Sequence, residues 1–205
     1  MVKKNINEKF LDKNQSIRDL MFKPVSRFLT NLNLTANYLS NFKLIVFIPY
    51  IFLISKNPKL AFLFLFLSLL IDIFDGPLAR FQKKQSDKGK FIDIFGDFTV
   101  YLTVILSLIF LDFFNKNFLI YHLFIFPITV ILSTIKNQEF TKTDWIIKPA
   151  PLIGHFNALV YLSLFLFVFF KINYFELILL IINTYFSFLS IYYFIFIQFR
   201  WLKKK

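Results

Sequence analysis

Five of the twelve acidic residues in this chain fall within one segment, IDIFDGPLARFQKKQSDKGKFIDIFGDF, residues 71–98. They are Asp72, Asp75, Asp87, Asp93 and Asp97, and three of the four glycines, Gly76, Gly89 and Gly96, sit among them. Asp72 and Asp75 are three apart and Asp93 and Asp97 four apart, so on helices each pair shares one face. A short Lys-rich loop returns the second pair beside the first, and four carboxylates converge. Ionised carboxylates near hydrocarbon are costly and need compensating charge. Arg80 alone does not neutralise four, whereas hard divalent cations such as Mg²⁺ or Mn²⁺ do, because they prefer oxygen ligands. Two such ions sharing carboxylates suit displacement at phosphorus, clamping the entering and leaving oxygens. A single aspartate of this kind would mark a helix end reaching for water; two spaced pairs around an Arg/Gly loop point to a site. Gly76, directly after Asp75, leaves a bare helix face that a phosphate or base can approach. Gly89 falls where the loop turns into the next helix, and Gly96 reads as a close-packing glycine.

The elements that must position these groups are apolar. The chain of 205 residues is 57% hydrophobic and 21% aromatic, with 32 Phe. A soluble domain of this size has no core large enough for so much apolar surface, and lipid is the simplest solvent for it. Zero Cys excludes disulfides, thiolate catalysis and Cys-based metal sites, and two His make a histidine-rich centre improbable. Hydrophobic runs predict six membrane helices near 38–55, 59–79, 91–112, 117–135, 150–170 and 174–199. The breaks KNPK (56–59), DFFNK (112–116) and KIN (171–173) read as tight turns. Residues 1–37 form a separate segment, polar at its start and unlike a cleaved signal peptide. Within it SIRDLMFKPVSRFLTNL, interrupted by Pro24, reads as an amphipathic piece lying on the membrane surface. The expected architecture is all-α: a 1–37 juxtamembrane segment and a 38–205 six-helix transmembrane domain.

Charge orients this layout. With the N-terminus inside, 19 of the 24 Lys and Arg fall in residues 1–37, the 80–90 loop, the 136–148 loop and the C-terminal tail. The outer turns hold only Lys56, Lys59, Lys116 and Lys171, and Lys43 lies inside the first span. That bias places both termini and the acidic segment at the cytoplasmic face of a plasma-membrane protein. The net charge of +12 is mostly a topology signal with attraction to anionic lipid heads. No basic soluble module exists to present it to nucleic acid.

Asp72-x-x-Asp75-Gly76-x-x-Ala79-Arg80, eight residues, then Gly89-x-x-x-Asp93-x-x-x-Asp97 resembles the signature of the CDP-alcohol phosphatidyltransferase family. All eight of its fixed positions are filled at the right spacing. The resemblance implies transfer of a phosphatidyl group from a CDP-linked alcohol, such as CDP-diacylglycerol, to an acceptor hydroxyl with release of CMP. It implies a six-helix membrane bundle, a homodimer and an N-terminal juxtamembrane helix. It further implies two metals, one on Asp72, Asp75 and Asp93 and a second on Asp72, Asp93 and Asp97, with Asp97 also the base on the acceptor hydroxyl. By the same resemblance Gly76, Ala79, Arg80, Ser86 and Gly89 bind the CDP moiety. Asn37 and Ser40 in LTANYLS are similar to the family's Pro-Asn/Asp-x-x-Thr stretch, with Ala36 for its proline and Ser40 for its threonine. Asn37 reads equally as a helix N-cap.

The acceptor alcohol stays open. In relatives, basic residues around the 136–157 stretch bind phosphorylated acceptors, which singles out Lys136, Lys148 and His155 here. Either lysine reads as well as a positive-inside loop charge, and His155 as a packing histidine. His122 receives no role. Two other classes compete with the enzyme: a transporter or channel with an intramembrane Asp path, and an inactive scaffold that keeps the motif. The clustering of the acids at one rim and the intact motif weigh against both, and flux across liposomes without CMP release would mark the first.

Overall fold

Seven α-helices account for nearly all of the computed structural model, which describes residues 6–84, 87–141 and 151–203. In chain order they are α1 (Ile6–Asn31), α2 (Ala36–Leu53), α3 (Pro58–Phe81), α4 (Asp87–Phe110), α5 (Lys116–Thr141), α6 (Pro151–Phe170) and α7 (Phe175–Lys203). The described residues contain no strand. Among the described residues, five helices are long and apolar enough to cross a membrane: α2, α3, Ile92–Phe110 of α4, Lys116–Lys136 of α5 and Phe175–Phe199 of α7. Of the sixth expected span, the described part of α6 offers the shorter apolar stretch Ala158–Phe170. Large side chains on these helices stay uncovered by protein, with Phe110 82% and Phe188 70% exposed. The fold is that of a multi-pass membrane protein, which puts such rings into lipid.

Helix ends outrun the apolar runs that announce them. The expected 80–90 loop shrinks to the residues between Phe81 and Asp87, because α4 starts four residues earlier than its apolar stretch. Hydropathy marks where hydrocarbon ends, whereas a helix continues into the polar layer as long as its backbone bonds can form. Gly89 consequently lies in the first turn of α4 and not in a turn needing glycine; no described glycine has positive φ. The α2 N-cap is Thr35, which makes no side-chain cap bond, so the N-cap reading of Asn37 does not hold. Asn57 does cap α3, accepting from Leu60 N–H at 3.2 Å, with Pro58 as first helical residue. In a chain this poor in glycine, Asn33, Lys83, Asp112 and Lys171 supply the left-handed residues after helix ends, with φ of 58°, 53°, 58° and 63°. At Lys83 the Lys84 N–H bonds Ala79 O at 3.0 Å and the Lys83 N–H bonds Arg80 O at 3.1 Å, which closes the last turn of α3.

Prolines sit inside four helices, as Pro24, Pro49, Pro77 and Pro127. Pro24 therefore does not interrupt α1, contrary to expectation; the helix passes through it. Such prolines are tolerated where neighbours satisfy the freed carbonyl. Pro77 shows how: having no N–H, it leaves Ile73 O available, and Arg18 Nη2 donates to that carbonyl at 3.4 Å.

The chain divides after Val104, within α4, into two compact units. In the first, α3 packs against α2 and α1. Tyr50 stacks on Phe47 at 5.1 Å and meets Phe62 edge-on at 5.7 Å, with Ala61 and Leu65 buried beside Phe62 on α3 and Leu78 buried near its other end. Fastenings hold α1 along α3 besides Arg18: Phe22 meets Phe74 edge-on at 5.2 Å, and Gln82 Nε2 donates to Thr30 Oγ1 and Leu34 O at 3.1 and 2.7 Å. The opposite side of α1 exposes Ile17, Leu20, Met21 and Phe28, the apolar face foreseen for this segment. In the second unit α7 packs against α5 and α6 around Phe114, Phe175, Leu179 and Phe186.

Candidate active site

The spacing of three and four residues does bring the acids together. One carboxylate oxygen from each of Asp72, Asp75 and Asp93 lies within 4.8 Å of the others. The first two come from α3 and the third from α4. Asp97, one turn further along α4, joins them through a residue that the motif does not contain. Lys43 of α2 projects its ammonium into the cluster, where Nζ donates to Asp72 Oδ1, and to Oδ1 of Asp93 and of Asp97 at 2.8 Å each. Its side chain is 2% exposed, against 32%, 39% and 54% for Asp72, Asp93 and Asp97. An ammonium has three N–H donors, and all three are used.

Gly96 is what admits the lysine. A Cβ at that position would stand 3.1 Å from Lys43 Cε and 3.7 Å from its Nζ. The glycine thus permits close approach, as foreseen, though of a charged side chain and not of a neighbouring backbone. The carbonyl of Lys43 accepts from Ser68 Oγ at 2.9 Å, which ties α2 to α3 at the same level. One turn before Lys43, Ser40 is buried and its Oγ lies 2.9 Å from Asp75 Oδ2, to which it donates. Asn37 is exposed at the start of α2 and is not among the groups drawn into the cluster.

Arg80 was the cation closest at hand in the sequence, yet its charge goes elsewhere. Its Nε lies 2.9 Å from both carboxylate oxygens of Asp19, and Nη2 lies 2.7 Å from Oδ1. This forked pair fixes the guanidinium against α1. A Cβ on Gly76 would lie 3.4 Å from Arg80 Nη1 and 3.8 Å from Arg18 Nη2, so two guanidinium groups stand over the bare backbone beside Asp75. Such a place suits a phosphate. Ala79, half-buried, follows on α3.

Lys43, Arg18 and Asp19 escaped the sequence reading. Lys43 left a signal, since it is the one charged residue of α2. An ionisable group inside a span is costly enough to imply a partner. The other sequence candidates fall into the second unit or outside the described residues. Lys136 Nζ sits over aromatic rings, 4.5 Å from the centroid of Tyr193, 5.2 Å from Tyr192 and 5.3 Å from Phe196. Ser86 and Lys148 lie outside the described residues, as does the side chain of His155 on α6. His122 is buried, with Nδ1 2.7 Å from Asn183 Oδ1.

The donor set of Asp72, Asp75 and Asp93 consists of hard oxygens only, the chemistry that Mg²⁺ and Mn²⁺ select. No curated protein and no solved structure matches the chain. Residues 33–196, which contain α2 to α6 and most of α7 together with the whole acidic motif, match the CDP-alcohol phosphatidyltransferase family, whose members are transferases of phospholipid synthesis and are generally dependent on divalent metals. The chain belongs to the CDP-alcohol phosphatidyltransferase family.

Proposed function

We propose that this protein transfers a phosphatidyl group from CDP-diacylglycerol to a small acceptor alcohol and releases CMP. The observation that carries the reading is the meeting of three carboxylate oxygens within 4.8 Å beside the bare helix face at Gly76, under Arg18 and Arg80. Asp72, Asp75 and Asp93 would hold a divalent ion, Mg²⁺ or Mn²⁺, which when bound supplies positive charge to the donor pyrophosphate. The Arg80 and Arg18 guanidiniums bind that pyrophosphate at Gly76, and Asp19 keeps Arg80 in orientation. Asp97 takes the proton of the acceptor hydroxyl. Its side chain is the most exposed of the three that contact Lys43. The hydroxyl oxygen attacks the phosphorus that carries the diacylglycerol, the P–O bond to CMP breaks, and CMP leaves with the bridging oxygen.

Positive charge on the inner segments supports a cytoplasmic site in the cell membrane, with both termini on that side. The same reading takes in a homodimer and an acceptor subsite at Lys136, Lys148 and His155, both implied by the resemblance of the motif. Purified protein with Mg²⁺ or Mn²⁺ is expected to release CMP from CDP-diacylglycerol when offered glycerol 3-phosphate, serine, inositol or inositol phosphate. EDTA should abolish the release. CMP formation that persists in EDTA, or none with any acceptor, would overturn the reading.

A further inference from the structure

One buried charged group in the first unit belongs to none of the roles above. Lys43 is buried, and its three N–H donors are spent on Asp72, Asp93 and Asp97. These three carboxylates are the set that the family resemblance would assign to a second metal ion. We propose that the Lys43 ammonium is a built-in cation of the site, taking those oxygens for itself, so that the chain binds one divalent ion, on Asp72, Asp75 and Asp93. This rests on the metal-binding reading of the site and sharpens it.

Three observations support a permanent cation. The first is the saturation of the ammonium: three donors meet three acceptors, and no lone N–H is left to draw it away. The second is the space made for it, because Gly96 removes the side chain that would press on Lys43 Cε at 3.1 Å. A lysine caught in the cluster by chance would not need a glycine on the facing helix. The third is charge. Four carboxylates and one ammonium formally leave three negative charges. Arg80 is neutralised by Asp19, and Arg18 stands over Gly76. One divalent ion with Arg18 balances the site before the donor arrives and has Asp75 free of Lys43, whereas a second ion on Asp72, Asp93 and Asp97 would share every one of its carboxylates with Lys43. Asp75 is the carboxylate that Lys43 leaves alone; it accepts from Ser40 instead, at 2.9 Å, and keeps its other oxygen.

The readout is the number of ions bound, measured without turnover. The full-length protein in detergent is titrated with Mn²⁺, and bound ions are counted by electron paramagnetic resonance, which also detects the magnetic coupling of a close Mn²⁺ pair. Wild type is expected to bind one Mn²⁺ per chain with no coupled-pair signal, and Lys43→Gln to bind two with that signal. Two Mn²⁺ in wild type overturns the proposal, and so does a single ion in a folded Lys43→Gln. Should Lys43→Gln fail to fold, Asp97→Asn carries the test: one Mn²⁺ with affinity within threefold of wild type supports the proposal, and a tenfold loss refutes it. CMP release in EDTA by a protein that binds no Mn²⁺ sinks the metal reading itself, whereas two ions together with metal-dependent CMP release sink only the assignment of Lys43.

Discussion

Each of the two units buries polar groups between apolar helices, and they do so with different chemistry. In the first, Lys43 joins three carboxylates, Ser40 donates to a fourth, and Arg80 grips Asp19. In the second the partners are neutral and link α5 to α7. His122 Nδ1 lies 2.7 Å from Asn183 Oδ1, Asn183 Nδ2 donates to Phe118 O at 3.0 Å, and the hydroxyls of Thr129 and Ser190 lie 2.7 Å apart. Neutral side-chain bonds between helices contribute about 0.6–2 kcal/mol each in lipid, enough to fasten a helix pair. A cluster of four acids adds nothing to such fastening and costs more than it returns unless a cation answers it. The neutral ladder fastens helices, whereas in the proposed function the charged cluster serves the chemistry.

Substitutions in the charged cluster should therefore abolish function and spare the fold. Asp93→Asn removes the negative charge from one of the three converging groups and weakens its bond to Lys43, and CMP release is expected to fall about 10²–10³-fold. Size-exclusion elution and membrane insertion should match wild type. Turnover preserved in that variant would break the comparison at its charged end. A smaller effect belongs to Asp19, which touches no substrate in this reading and acts through Arg80. Asp19→Ala should lower kcat/KM for CDP-diacylglycerol about tenfold, mostly through KM, since the guanidinium loses its forked partner. If KM stays put, the pair of α1 and α3 merely fastens helices, as in the other unit.

The neutral ladder should respond in the opposite sense. Asn183→Leu deletes the contact to His122 and the bond to Phe118 O. It is expected to cost about 1–2 kcal/mol of stability, read as a lower midpoint of thermal unfolding in detergent. CMP release per folded molecule should stay within twofold of wild type. A larger loss of activity than of folded protein would mean that α5 and α7 contribute more than adhesion.

What the sequence discloses depends on how local the determining contact is. Asp72, Asp75, Asp93 and Asp97 are legible because helical periodicity alone puts each pair on one face. The spans are legible because twenty apolar residues have few other homes. Lys43 lies 29 residues before Asp72 and 54 before Asp97, and Asp19 lies 61 before Arg80. No periodicity links such positions, so charge counting treats Lys43 as a remainder and leaves the pairing of Arg80 with Asp19 unseen. Helix ends escape for a different reason. Asp87, Lys88 and Lys90 look like loop residues by polarity, but a helix leaving the hydrocarbon keeps its backbone bonds while its side chains become polar.

The smallest expected effect concerns a device that both units share. Lys83 ends α3 with φ 53° and Lys171 follows α6 with φ 63°, two lysines in a conformation that crowds Cβ against the carbonyl. The left-handed region costs a non-glycine residue about 1–2 kcal/mol, and glycine gives part of that relief back as entropy of the unfolded chain. Lys83→Gly and Lys171→Gly should each therefore raise stability by about 0.5–1 kcal/mol, seen as a small upward shift of the unfolding midpoint. Neither lysine has a part in the proposed chemistry, so a difference between the two variants in CMP release would be informative. Equal and undiminished turnover means that both lysines serve only the helix ends and the inner or outer charge of their turns. A loss confined to Lys83→Gly would extend the charged site along the turn from α3 to α4, and the contrast between the units would then reach the backbone as well as the side chains.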